Sequence, residues 1–332
     1  MLKRAYLDHA ATSPLRPEAR AAMEEGFSLW ANPSSPHAEG RRARAALEDA
    51  RARIKAALGW QGEVIFTSGA SEALAIALTR AEAQRRLASR FEHDALWRAL
   101  PAAEVCTDAA RLGPGALLAA QHVNSETGTR DPSGWLAAQP PPPGTLVLAD
   151  CAQSAGRLPL PAADMIVVSA HKFGGPIGVG ALLLRDFSLI SPCGGHERGY
   201  RQGTENLPGV LGMAAALEAG GRESWATSAE DRARFAAQLA PWRLVLGDPV
   251  DYIFALAHPH LSAQALLIRL DSMGLAVSAG SACSSGTLKK SRVLDAFGVA
   301  DEVAARTIRV SLGWSTTPAD LARFIEAWEA LA

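Results

Sequence analysis

Five short apolar runs, EVIFTSG, LLAAQHV, TLVLAD, DMIVVSA and GALLLRD, recur between residues 63 and 186, each bounded by a polar or glycine-containing turn. Apolar residues fill nearly every position of these runs rather than alternate ones, which is the mark of strands buried on both faces. Between and before them lie segments rich in Ala, Leu, Glu and Arg with apolar residues at helical spacing. Strands buried on both sides and separated by helices predict an α/β layer architecture around a mostly parallel sheet. With 332 residues, 48% of them hydrophobic, the chain can fill such a core and still build a second lobe.

Helices are expected over residues 17–30 and across GRRARAALEDARARIKAAL, on either side of the break ANPSSPH. A third, ASEALAIALTRAEAQRR, follows directly on EVIFTSG, and QPPPPG forms a stiff connector into TLVLAD. After CGGHERGYRQGTEN the chain reads as helical over 207–220, passes TSAEDRARFAAQL, then alternates strands (YIFALA, TIRVSL) with helices (SAQALLIRLDSMG, TPADLARFIEAWEAL). Thr317 caps the last helix, with Pro318 at its first position. The expected division is a large domain over 15–222 and a smaller α+β domain over 223–332, with residues 1–14 packing on the smaller one.

Lys and Arg total 33 against 34 Asp and Glu, a formal net charge of −1, so electrostatics give no reason to expect nucleic acid or an anionic membrane as partner. A small ligand fits better. MLKRAYLDHAATSP reaches polar residues before any signal-peptide core could form, and no run is long enough to span a bilayer. A cytoplasmic location is expected. The four cysteines, Cys106, Cys151, Cys193 and Cys283, are dispersed, without metal-ligand spacing to histidine, so no metal site is expected.

Lys172, in VVSAHKFGGPIGVG, stands between apolar runs in a glycine-rich turn, one strand downstream of Asp150 at the end of TLVLAD. Open α/β sheets bind ligands at such strand ends. The two residues read either as a structural ion pair or as the grips on a flat cationic cofactor, Lys172 on its aldehyde and Asp150 on a pyridinium proton. Gly69, Ala70 and Ser71 lie where strand turns into helix, and Ser169 and His171 flank the lysine, so three short segments could hold a phosphate. For Ser71 alone, ordinary helix capping is the simpler reading. His93 in FEHDAL is either a surface residue at a helix start or a ring that stacks on a planar ligand and relays protons. Gln153 in DCAQSAG is either a turn donor or the partner of a phenolic oxygen.

The ordered set YLDHAATSP, ANPSSPH, FTSGASEA, FEHDAL, HVNSETG, DCAQSAG, SAHKFGGPIGVG, GGHERGYRQGTEN, SAGSACSSGT and TIRVSLGWSTT, which covers nearly the whole chain, resembles the cysteine desulfurases. These are class V members of the fold type I enzymes dependent on pyridoxal 5'-phosphate (PLP). The resemblance implies a Schiff base on Lys172, Asp150 on the pyridine nitrogen, His93 stacked on the ring and Gln153 on its oxygen. It implies a phosphate site of Ala70, Ser71, Ser169 and His171, joined by Thr204 from the partner subunit of a homodimer. Arg309 would bind the substrate α-carboxylate, with Asn32 helping to orient it. Cys283, among small residues suited to a mobile loop, would attack the sulfur of L-cysteine, leaving a persulfide and alanine. A sulfur-acceptor protein, an iron–sulfur scaffold or a tRNA-thiolation relay, would then receive the sulfur.

Two departures stand out. Ser125 in HVNSETG occupies the place of a second asparagine of the family motif, which bears on a contact to the ring oxygen. The stretch between His93 and His122 is shorter than in most relatives, implying a trimmed helix or strand. The alternatives are another class V activity, selenocysteine lyase or aminotransferase, and a weakly active homologue acting as an interaction protein; Cys283 in its glycine-rich loop favours the desulfurase.

Overall fold

The structure, a computed structural model, describes residues 4–136, 142–279 and 291–332. It divides into a larger unit, the described residues of 14–122 and 133–221, and a smaller unit, those of 1–13, 123–132 and 222–332.

The larger unit is built on seven strands: β1 (Glu63–Thr67), β2 (Arg85–Ala88), β3 (Glu104–Val105), β4 (Ala116–Gln121), β5 (Leu146–Asp150), β6 (Met165–Ser169) and β7 (Gly180–Leu184). Their spatial order is β1-β7-β6-β5-β4-β2-β3. All neighbours pair in parallel except β7, which runs antiparallel to both β1 and β6. Both faces are covered, as the uninterrupted apolar runs require. Val64 and Phe66, Ile166 and Val168, and Ala181 and Leu183 enter one core, whereas Ile65, Met165, Val167, Leu182 and Leu184 enter the other. The first core is closed by α1 (Pro17–Ser28), α2 (Ala38–Leu58) and α5 (Leu207–Glu218), the second by α3 (Ala70–Arg80) and α4 (Asp94–Ala99). Helices α1 and α5 approach closely: a Cβ on Gly26 would lie 2.6 Å from the Pro208 Cα.

One expected helix is shorter than its sequence suggests. ASEALAIALTRAEAQRR reads as a single helix, but α3 ends at Arg80 and Arg85–Ala88 joins the sheet as β2. The N–H groups of Gln84 and Arg85 donate to the Gly115 carbonyl at 2.8 and 3.0 Å. The Arg86 guanidinium turns back onto the carbonyls of Leu78, Ala81 and Ala83. A side chain that reads as helical by propensity thus serves as the cap of the preceding helix, and sheet pairing overrides propensity. The shortened stretch after His93 retains the six-residue α4 and the two-residue, exposed edge strand β3.

In the smaller unit Ile253–Ala257 pairs antiparallel with Thr307–Ser311. Ala5–Tyr6 pairs in parallel with Leu275–Ala276, and Thr129–Arg130 pairs antiparallel with Asp248–Pro249. The helix Pro318–Leu331 begins with a complete capping box, Thr317 and Asp320 each taking the other's backbone N–H. Among the described residues no helix is long and apolar enough to cross a membrane.

Candidate active site

The carboxyl edge of the sheet gathers the chemistry. β5 ends at Asp150, β6 ends at Ser169 and runs into the 3-10 turn Ala170–Lys172, and β1 ends at Thr67 just before α3. Because β7 is antiparallel, its first residue lies at this same edge, where Gly180 pairs with Thr67 on one side and Ser169 on the other. A Cβ on Gly180 would lie 2.6 Å from the Val168 carbonyl oxygen and 2.7 Å from the Gly69 Cα. Only glycine therefore lets the strand-to-helix turn at Gly69 pass so close over β7. Gly69 itself has φ 149°, a conformation open to glycine and little else.

Asp150 is buried, 9% exposed, and one carboxylate oxygen accepts the Ala152 N–H at 2.9 Å. Burial holds its pKa above the ordinary carboxyl value, against the Ala152 bond and the charges of His93 and Lys172. His93 is the N-cap of α4, and its Nδ1 accepts the Ala95 N–H at 3.1 Å. That bond fixes the neutral tautomer with the proton on Nε2. Its ring is open to solvent yet closely flanked by protein, and this crowding lowers its pKa, with Asp150 pulling upward and Lys172 downward. His93, Asp150 and Lys172 thus share one electrostatic neighbourhood. Either sequence reading of Lys172 and Asp150 would bring these charges together.

Beyond the lysine, Ser169 is buried and makes no capping bond with its side chain. His171 is half-buried, and burial followed by the Lys172 charge lowers its pKa to about 4, so at neutral pH it offers a neutral N–H or lone pair rather than a cation. Ser71 is exposed in the first turn of α3. The capping role is taken by Glu72, which accepts the Ser68 N–H and pairs with Arg201 at 3.0 Å, so the Ser71 hydroxyl is not needed to close the helix.

Several residues that hold this edge together carry no motif signal. Arg157 is 7% exposed and donates to the Lys172 carbonyl, and to the main-chain and side-chain oxygens of Gln153 at 3.3 and 3.5 Å. Arg16, equally buried, donates to the carbonyls of Phe173 (3.2 Å) and Gly220 (3.0 Å), and its own N–H bonds Gly174 O at 2.8 Å. Glu197, buried with φ 47°, forks onto Arg51 at 2.8 and 3.0 Å and accepts the Phe66 N–H at 2.8 Å. Arg198, at φ 57°, pairs with Glu63 and Glu48. These bonds over-determine a left-handed pair of non-glycine residues and fix the loop that presents Thr204, which is exposed. Asn32 is exposed and its side-chain oxygen accepts the Ser34 N–H at 2.8 Å, closing a local turn.

In the smaller unit Arg309 is 6% exposed. Its Nη1 donates to the Ser125 carbonyl at 2.9 Å and its Nη2 to Asp8 at 2.8 Å. Its Nε is buried without a partner among the described residues. Ser125, half-buried, thus supports Arg309 through its main chain, a role independent of its side chain. Asp8 is held in turn by the Tyr6 hydroxyl on its carbonyl at 3.1 Å; burial, then the Asp8 charge, keep that phenol protonated with a pKa raised to about 12. Cys106 and Cys151 are buried and burial pushes both thiols up, which makes them poor nucleophiles. Cys283 lies outside the described residues.

Comparison with known proteins gives one consistent result. The family model for aminotransferase class-V matches residues 5–112 and 112–324. A cysteine desulfurase of Cereibacter sphaeroides is 35% identical over 366 aligned residues, covering 98% of this chain and 95% of that protein. Among solved structures, a NifS-like protein superposes with a TM-score of 0.84 at 25% identity over 99% of both chains. SspA in complex with cysteine superposes at 0.76, with 25% identity over 94% of this chain and all of that one.

Proposed function

The chain belongs to the class V aminotransferase family, and from that premise we propose that it is a PLP-dependent cysteine desulfurase that converts L-cysteine to L-alanine and carries the sulfur on Cys283. The observation that carries this reading is the buried Asp150 carboxylate, which shares one sheet edge with Lys172 and His93.

The donor set fits the cofactor. A carboxyl whose ionisation burial opposes gains most from a cationic N–H partner, as a pyridinium provides. Lys172 is the amine for the aldehyde. The turn at Gly69–Ser71, drawn over Gly180, and the buried Ser169 hydroxyl offer donors to a phosphate, which backbone N–H groups at a helix start favour without any side-chain cation. When bound, PLP supplies an electron sink at the substrate α-carbon.

The remaining work falls to this chain's own groups. His93 stacks on the ring and, with Nδ1 held by Ala95, has its mobile proton on Nε2. Gln153 bonds the ring oxygen. Arg309 takes the substrate carboxylate, for which its unspent Nε is a ready donor, and Asn32 helps orient it. The Cys283 thiolate attacks the sulfur of cysteine: the C–S bond breaks, an S–S bond forms, and the carbon that keeps the electron pair is protonated to give alanine. Thr204 reaches the phosphate of a neighbouring subunit, so the working form is a homodimer. The persulfide passes to a protein acceptor of an iron–sulfur or tRNA-thiolation route.

The test is to incubate the purified protein with PLP, L-cysteine and a reductant, and to measure sulfide and alanine together. Equal amounts of both are expected. Alanine without sulfide, or neither product, would refute the reading.

A further inference from the structure

The lysine turn is gripped from behind by two buried guanidinium groups. Arg16 takes the Phe173 carbonyl, and its backbone N–H takes that of Gly174. Arg157 takes the carbonyl of Lys172 itself. Three consecutive main-chain oxygens, of Lys172, Phe173 and Gly174, are therefore fixed. The two arginines differ in what else they hold. Arg16 ties the turn to the end of α5 at Gly220, a purely scaffolding link. Arg157 ties it to Gln153, through both the main-chain and the side-chain oxygen.

The local backbone explains how Arg157 can do this. Residues 151–158 wind tightly: the N–H groups of Ala155 and Leu158 donate to Cys151 O and Ser154 O at 2.8 Å. Winding of this kind places positions four apart on one side, and so Arg157 reaches back over Gln153. Gly156, at φ 69°, makes the bend that aims the arginine inward; a Cβ there would lie 3.0 Å from the Leu217 side chain. A guanidinium suits the place because its planar fork serves several oxygens at once and keeps its charge when buried.

We propose that Arg157 is a positioning residue that sets the reach of Lys172 and holds Gln153 in register with it by gripping oxygens of both. This rests on the reading of Lys172 as the cofactor-binding amine, and it assigns to Arg157 a task performed through protein oxygens. Its consequence is twofold. The main chain of Lys172 is held at a fixed point of the turn, and a permanent positive charge lies on the carbonyl of the same residue whose amine is read as the cofactor's anchor.

Arg157→Met and Arg157→Lys, each prepared without cofactor and then mixed with PLP, test the proposal. In Arg157→Met the visible band of the lysine-bound cofactor should form about tenfold more slowly or worse, because a misplaced amine loses alignment. Its pH midpoint should rise by about half a unit or more, because a cation opposing protonation is gone. Arg157→Lys keeps the charge and loses the fork, so its midpoint should stay at the wild-type value while band formation is slowed. A folded Arg157→Met with wild-type midpoint and wild-type rate overturns the proposal. If the methionine variant does not fold, Arg157→Lys decides alone, and a wild-type rate of band formation in it is the refuting result. Failure is separable from failure of the underlying function: wild-type protein that forms no band removes Lys172 as the amine and takes Arg157 with it, whereas a normal wild-type band with unaltered variants removes Arg157 only. Acetic anhydride labelling of Lys172 in the cofactor-free protein, followed by mass spectrometry, gives a readout free of PLP, and the methionine variant should shift its pH dependence.

Discussion

Gly180→Ala adds one methyl group at the most crowded crossing of the sheet edge. The new Cβ would meet the Val168 carbonyl oxygen at 2.6 Å and the Gly69 Cα at 2.7 Å, where ordinary contacts begin near 3.4 Å. Both obstacles are backbone, so neither can rotate out of the way. The side of least resistance is the turn at Gly69, because Val168 belongs to a strand paired on both sides. Gly69 must then lift by about 0.7 Å. Overpacking of this kind typically destabilises by about 1–3 kcal/mol, which for a unit of this size, at about 2–4 °C per kcal/mol, lowers Tm by about 2–12 °C. The larger effect is on the cofactor. Lifting the turn displaces the N–H groups at the start of α3, and losing one bond to a charged acceptor, about 1.5–3 kcal/mol, weakens PLP binding roughly ten- to hundredfold. Cofactor-free protein titrated with PLP and followed by absorbance gives the affinity, and calorimetry gives Tm. Unchanged PLP affinity alongside a lowered Tm would show that the turn over Gly180 is scaffold and takes no part in holding phosphate.

Glu197→Ala leaves the buried Arg51 guanidinium without its forked partner and should lower unfolding stability by about 3–5 kcal/mol, read by urea titration; a loss below 1 kcal/mol would mean Glu48 and water compensate. His258 is buried, accepts the His260 and Leu261 N–H groups on Nδ1 and donates from Nε2 to Leu331 O, and burial lowers its pKa. Its contribution is therefore complete above the unfolded value near 6.5 and is lost as pH falls below it; Tm should drop more steeply from pH 7 to 5 in wild type than in His258→Asn, and parallel curves would refute this. Cys283→Ser should bind PLP normally yet release no sulfide, and mass spectrometry of cysteine-treated wild type should find the added sulfur on the Cys283 peptide; persulfide on Cys193 instead would assign the wrong nucleophile.

The parts of the fold that could be read from the chain are those where one local signal settles one structural question. Apolar runs at Glu63–Thr67, Leu146–Asp150, Met165–Ser169 and Gly180–Leu184 became strands because no polar face was left for any other use. Thr317 and Pro318 marked a helix start because capping is decided within four residues. The strand Arg85–Ala88 was hidden because its charged residues resemble helix; it is placed by the Gly115 carbonyl, some thirty positions on. Arg157 and Arg16 were equally invisible, since an arginine in a turn ordinarily faces water and nothing local says that these point inward.

The segment 123–132 shows how a position noticed for its side chain can also carry a task through its main chain. From HVNSETG, Ser125 draws notice as a side chain standing where an amide is usual. Yet the ten residues around it group with the smaller unit, and they do so through main-chain and turn contacts. Asn124 Oδ1 accepts the N–H groups of Glu126 and Thr127, both at 2.9 Å, and Thr129 bonds the Leu246 carbonyl. A Cβ on Gly128 would fall 2.4 Å from Ile253 O, so a glycine is needed for the segment to lie against the strand Ile253–Ala257. The outcome is a carbonyl at Ser125 aimed at Arg309, which any residue there would supply. Two separate tasks can therefore fall on one position: the backbone orients the arginine proposed to take the substrate carboxylate, and the side chain is left for the ring-oxygen contact that the family resemblance implies. Ser125→Asn should accordingly leave the KM for cysteine near its wild-type value, and a KM shift of tenfold or more would show that the side chain, too, bears on the carboxylate site.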